Sequence, residues 1–229
     1  MSDFFSDPDN VLVFDFDGVI LDSASLKREA FAALYNDQPE PLQRAVRAYL
    51  GRRGGQPREV KFRHIEAQIL GRTATDTSIN ELCRRFKDNV ERRIVEAPAI
   101  PGALKFLARH RGRLPIYLLS ATPEQELRNI VSQRGLTPCF DDVIGSPPDK
   151  VTGLHNLLNR HGYRAEHTVM IGDSYNDYRA ARSNGTGFIG ITAEPAASPF
   201  PDDVVTALDL CGLEAALATW YRHGDSGSD

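Results

Sequence analysis

Val11-Leu12-Val13-Phe14-Asp15-Phe16-Asp17-Gly18 is an apolar run that breaks into two carboxylates and a glycine. Four apolar residues without polar alternation read as a strand buried on both faces, as in a parallel sheet. Asp15 and Asp17 then stand at its C-terminal end, the edge at which open α/β sheets bind ligands. With a strand period of two they point to one side if the extended geometry holds, and Gly18 permits a sharp departure. One carboxylate of such a pair can attack phosphorus and form an aspartyl-phosphate. Its neighbour can protonate the leaving alcohol and then deprotonate the hydrolytic water. A plain acidic turn after a strand has the same composition and stays open at this point. A calcium loop does not fit, because its terminal Glu would fall on Leu26 or Arg28.

Further apolar runs follow at Ile116–Leu119, Val143–Ile144, Val169–Ile171 and Phe188–Ile191. They alternate with helix-like stretches at Gly102–Arg111, Glu124–Arg134, Lys150–His161 and Tyr178–Asn184. That alternation indicates an α/β doubly wound core with a parallel sheet. The segment from Ser23 to Pro98 breaks the pattern. It holds no strand-like run, but Leu26–Tyr35, Leu42–Leu50, Glu59–Leu70 and Ile79–Ile94 carry apolar residues at helical spacing. The expected organisation is a discontinuous core, residues 1–22 and 98–229, with an all-helical insertion at 23–97. The small, polar tail from Gly224 to Asp229 is read as disordered.

Three more fragments can serve the same chemistry. Ile116–Leu119 ends in Ser120-Ala121-Thr122-Pro123, where a hydroxyl and backbone N–H groups can hold phosphate oxygens. We assign Ser120 and Ala121 to phosphate and leave Thr122 as the cap of the next helix, with Pro123 at its first position. Lys150 opens a helix after Pro147-Pro148-Asp149, a place the helix dipole makes slightly unfavourable for a cation. A solvated surface lysine is the plain reading; a cationic anchor for nucleophile and phosphate is the functional one. Val169–Ile171 runs into Gly172-Asp173-Ser174-Tyr175-Asn176-Asp177. Asp173 suits a direct ligand of hard Mg²⁺, while Asp177 orients a metal-bound water or Lys150 from behind.

Taken in order, Asp15-Phe16-Asp17-Gly18, Ser120, Lys150 and Gly172-Asp173-Ser174-Tyr175-Asn176-Asp177 resemble the four motifs of the haloacid dehalogenase-like (HAD) hydrolase superfamily. The resemblance implies a Rossmann-like HAD core with a type-1 helical cap inserted after the first motif. It implies Asp15 as nucleophile and Asp17 as general acid/base. It also implies Mg²⁺ bound by the Asp15 side chain, the Asp17 backbone carbonyl and Asp173. Aspartate at position 17 argues for phosphate esters over halides, which leave without protonation. The branch most similar is that of phosphoglycolate phosphatases and β-phosphoglucomutases. The mutases typically carry His where this chain has Lys27, which favours a phosphatase over the mutase alternative.

Twenty-seven Lys and Arg against thirty-one Asp and Glu give a net charge of −4, with no general pull toward nucleic acid or anionic lipid. Between Gln43 and Arg72, however, eight Arg/Lys stand against two Glu. Arg58, Lys61, Arg53 and Lys27 are the candidate specificity residues of the insertion, with a solvated helix face as the alternative for each. The basic stretch also admits a non-catalytic binding role, although no RNA motif or aromatic interleave accompanies it. Cys83, Cys139 and Cys211 have no metal-ligand or disulfide spacing, and no signal-peptide or membrane-spanning run is present. A cytoplasmic enzyme, monomer or homodimer, with a small phosphorylated metabolite as partner is expected.

Overall fold

In the computed structural model, residues 4–193 and 198–224 are described. The strands are β1 (Val11–Phe14), β2 (Ile116–Pro123), β3 (Asp142–Ser146), β4 (Thr168–Gly172), β5 (Gly187–Ile191) and β6 (Thr206–Ala207). They form one parallel sheet in the order β3-β2-β1-β4-β5-β6. β1 lies centrally, flanked by β2 and β4, and its four residues are fully buried.

The two-residue period of β1 divides the core. Leu12 and Phe14 pack on one side with Leu107 of α5 (Ala103–His110), Leu127 and Ile130 of α6 (Glu124–Gln133), and Leu217 of α9 (Leu213–Gly224). Val11 and Val13 pack on the other with Leu154 and Leu157 of α7 (Lys150–His161) and Ala180 and Ala181 of α8 (Tyr175–Asn184). Helices on both faces explain why the strands carry no polar alternation.

Four helices occupy the span between β1 and α5. They are α1 (Ala24–Ala33), α2 (Glu40–Arg52), α3 (Arg58–His64) and α4 (Asp76–Glu96). Phe31, Phe62 and Phe86 form their centre, the Phe31 and Phe86 rings 4.1 Å apart and Phe31 and Phe62 4.9 Å apart. Thr75 caps α4 by accepting from the Ser78 amide at 3.2 Å. The helix expected over Glu59–Leu70 changes character midway. After α3 the chain widens into a single π turn, Ile65–Ile69, with the Leu70 amide bonded to the Ile65 carbonyl at 2.9 Å. Entry and exit of the helical segment are tied together. Asp22 N donates to Pro98 O at 2.9 Å and Ile100 N to Ile20 O at 3.0 Å.

Three features differ from expectation. β6 and α9 extend the core beyond the expected elements. Gly224, assigned to the disordered tail, ends α9; residues 225–229 lie outside those described. Thr122 does not cap α6: β2 continues through Pro123, Glu124 is the first helical residue, and the Thr122 hydroxyl turns toward Asp17.

Candidate active site

Asp15 extends β1 by one step, its amide bonded to Ile171 O of β4 at 2.9 Å. The chain then turns tightly, Gly18 N donating to Leu21 O at 2.7 Å. Gly18 has φ +84°, and a Cβ there would lie 2.2 Å from Asp173 Oδ2. Only glycine lets the first acidic loop approach the second this closely.

Asp15, Asp173 and Asp177 offer carboxylate oxygens within 4.8 Å of one another. Lys150, 3 % exposed, stands between two of them, with Nζ 2.8 Å from Asp15 Oδ1 and paired with Asp177 Oδ1. Asp177 is itself held, its Oδ2 accepting from the Ser174 amide at 3.1 Å and the Ser174 hydroxyl at 2.5 Å. This capping box at the start of α8 fixes the carboxylate against Lys150. Asp149 does the same for the start of α7, accepting from Thr152 N at 2.8 Å. The helix starts thus aim Lys150 and Asp177 at the β1 edge.

Charge is unbalanced in this cluster. Burial pushes the Asp15 carboxyl up to about 7, against the pull of Lys150. Burial, together with the charges of Asp15 and Asp177, raises Asp173 well above the carboxylate range. Burial opposes the Lys150 ammonium, but Asp15 and Asp177 outweigh it and hold the lysine charged. Three close carboxylates facing one lysine are short of positive charge, and all-oxygen donors are what a hard divalent cation takes. The residues therefore fit Mg²⁺.

Asp17 has a separate environment. Its Oδ1 accepts from Ser23 Oγ at 2.6 Å, and its Oδ2 from Lys27 Nζ at 2.5 Å and Thr122 Oγ1 at 3.3 Å. Burial alone would raise its pKa, but Lys27 and the hydrogen bonds from Lys27 and Ser23 carry it below the ordinary value. Lys27 Nζ also donates to Thr122 Oγ1 at 2.7 Å, which joins α1 to the end of β2.

Ser120 and Ala121 line the same cleft as Asp15, Asp17, Lys150 and Asp173. Ser120 Oγ accepts from the Thr122 amide at 3.2 Å. The helical segment supplies the opposite wall through Lys27, Arg58 and Lys61. Lys61 Nζ lies 5.0 Å from the Phe31 ring centroid, and burial together with the Lys27 charge lowers its pKa to about 8. Arg58 is committed elsewhere. Its guanidinium, 5.0 Å from the Phe86 ring centroid, makes a two-pronged pair with Glu126 of α6 at 2.5 and 3.2 Å. Arg53 lines an adjoining cleft rather than this one.

The structure thus brings together Asp15, Asp17, Ser120, Ala121, Lys150, Asp173 and Asp177, with Lys27 and Lys61 facing them. Sequence reasoning missed Thr122 and Glu126. The Thr-Pro pair imitates a helix cap, and nothing local in Glu126 announces a partner 68 residues away.

The family model for haloacid dehalogenase-like hydrolases matches residues 10–185. A phosphoglycolate phosphatase of Rhodospirillum rubrum is 28 % identical over 234 residues, covering 95 % of this chain and 93 % of that protein. One from Vibrio cholerae is 32 % identical over 124 residues, covering 48 % of this chain and 54 % of that protein. Among solved structures, CbbY from Rhodobacter sphaeroides in complex with phosphate superposes with a TM-score of 0.70 at 16 % identity, covering 91 % and 98 % of the two chains.

Proposed function

Because the chain belongs to the haloacid dehalogenase-like hydrolase family, we propose that it is a Mg²⁺-dependent phosphatase acting on a small phosphorylated metabolite through an aspartyl-phosphate on Asp15. The observation that carries this reading is the division of labour between two carboxylates. Asp15 sits with Lys150 in the metal-ready cluster, while Asp17 is held apart by Ser23, Lys27 and Thr122. Paired carboxylates in contrasting environments suit a nucleophile and an acid/base.

When bound by Asp15, Asp173 and the Asp17 carbonyl, Mg²⁺ would neutralise phosphate charge and favour ionised Asp15. Lys150 adds a second positive charge beside the attacking oxygen, and Asp177 keeps that ammonium in place. Ser120 and the Ala121 backbone lie where phosphate oxygens need donors. Asp15 then attacks phosphorus in line with the departing alcohol. The approach of a dianionic phosphate raises the proton affinity of Asp17, which takes up a proton from solvent and passes it to the leaving oxygen. With the alcohol gone Asp17 is again an ionised base beside Lys27, suited to take a proton from the water that attacks the phospho-enzyme. The helical segment acts as a cap, its Lys27 and Lys61 closing the cleft over the reacting group. The names of the relatives put phosphoglycolate among the substrates to be tested. Among the described residues, no helix is long and apolar enough to cross a membrane.

The test is phosphate release from a panel of phosphoglycolate, sugar phosphates and nucleotides, with Mg²⁺ or with EDTA. Release confined to the Mg²⁺ samples supports the proposal. Undiminished release in EDTA, or interconversion of sugar phosphates without release, overturns it.

A further inference from the structure

Next to the catalytic cleft, and sharing Arg28, Gly54, Gln56 and Asp173 with it, lies a larger one of about 420 Å³. Its walls carry Arg28 from α1, Arg52 and Arg53 from the end of α2, and Arg179 from α8. Arg28, Arg52 and Arg53 have no carboxylate within ion-pair distance among the described residues; Arg179 bonds the Asn176 side chain at 3.1 Å and lies close enough to Asp149 to lower its pKa. Other arginines of the helical segment are neutralised: Arg44 by Glu40, Arg63 by Asp76, Arg84 by Glu81 and Asp88, Arg92 by Glu96. Four exposed arginines from three helices around one cleft, with Asp173 the carboxylate on its wall, make it positive overall and favourable to an anion.

A second observation lies at the junction. Gln56 Oε1 is buried in the wall common to both clefts and has no donor among the described residues. A buried carbonyl oxygen without a donor is costly, and a ligand hydroxyl would satisfy it. The cleft also has a fixed floor, since Asn176 Nδ2 donates to Gly55 O at 2.7 Å and joins α8 to the loop after α2. The catalytic cleft, about 70 Å³, is the smaller of the two and opens into the arginine-lined space, so a substrate longer than its scissile end can extend there.

We infer that the substrate is a polyhydroxylated bisphosphate, its scissile phosphate at Asp15, a hydroxyl on Gln56 Oε1, and its distal phosphate among Arg28, Arg52, Arg53 and Arg179. This inference rests on the phosphatase reading above. Phosphoglycolate and simple monophosphates would leave the arginine cleft empty, and are predicted to be poor substrates.

The experiment compares a hexose bisphosphate with the matching hexose monophosphate on the wild-type chain and on Arg52→Ala/Arg53→Ala and Arg179→Ala variants. Charge-assisted contacts of this kind correspond to roughly tenfold each in affinity. The wild type should prefer the bisphosphate in kcat/KM by at least about tenfold, mainly through KM. That preference should fall by about tenfold in Arg179→Ala, by more in Arg52→Ala/Arg53→Ala, and be largely restored by Arg52→Lys/Arg53→Lys. Calorimetric binding of the same two sugars to Asp15→Asn protein provides a readout independent of turnover. Absence of a bisphosphate preference in the wild type, or its persistence in both alanine variants, overturns the inference. If no phosphate is released but the Asp15→Asn chain still binds the bisphosphate in an arginine-dependent way, the phosphatase reading fails and the anion site stands.

Discussion

The pair between Arg58 and Glu126 is one of the places where the helical segment is fastened to the core, and its removal has a predictable size. Arg58 is 7 % exposed, and the Glu126 side chain 19 % exposed. Two charge-assisted hydrogen bonds join them at 2.5 and 3.2 Å, and the guanidinium lies 5.0 Å from the Phe86 ring centroid. Stranding one partner of a fully buried pair costs about 3–5 kcal/mol. Glu126 retains some contact with solvent, which lowers the expected cost of Arg58→Met to roughly 2–3 kcal/mol. For a chain of this size that corresponds to a fall in Tm of roughly 4–12 °C. Glu126→Gln alone strands the arginine and should cost a similar amount, but the double variant leaves no buried charge. A double-mutant cycle by urea denaturation should therefore return a coupling of about 1–2 kcal/mol. Single losses that simply add in the double variant, within about 0.5 kcal/mol, would refute the reasoning and make Arg58 free to serve the substrate.

The remaining expectations concern the sheet and the acidic cluster. Gly187→Ala would place a Cβ 2.2 Å from the Trp220 ring, so β5 and α9 must part, at a cost of roughly 1–3 kcal/mol read from the urea midpoint. Asp15 titrates near 7 in the folded chain against 3.8 unfolded, and Asp173 is raised as well. Without metal, the folded state keeps protons that the unfolded chain sheds, so stability in EDTA should decline as the pH rises from about 4 through about 7. Asp17 acts in the opposite sense, adding stability above its unfolded pKa that is lost on acidification below it. Because Mg²⁺ replaces those protons, its stabilising effect on Tm should be larger at about pH 8 than at about pH 6. An Mg²⁺-induced shift independent of pH would contradict the assignment of the cluster.

Strands such as Val11–Phe14 and Val169–Ile171 were legible because a parallel strand covered on both faces is apolar at every position. β6 was not, since two residues at a sheet edge leave no periodic signal. α9 was open to the same reasoning, with Leu213, Leu217 and Trp220 at helical spacing, but was not among the expected elements. Within the site, groups that act at strand ends are visible locally because the strand positions them. Asp15, Ser120 and Asp173 converge for that reason, and Lys150 and Asp177 join them from the first turns of α7 and α8. Side chains whose role depends on a distant partner are not visible in this way. Lys27 reaches Asp17 only after the chain turns at Gly18, and Thr122 reaches it across the sheet. Arg58 resembles a substrate contact until Glu126 is seen beside it.

The central claim is that phosphate passes through the Asp15 carboxylate. Rapid acid quenching of the enzyme with Mg²⁺ and a phosphate-radiolabelled substrate tests it most directly. The account predicts a hydroxylamine-sensitive label on the peptide carrying Asp15, absent in EDTA and absent, with turnover, from Asp15→Asn. Steady phosphate release by Asp15→Asn at the wild-type rate, with no label on that peptide in either protein, would contradict it.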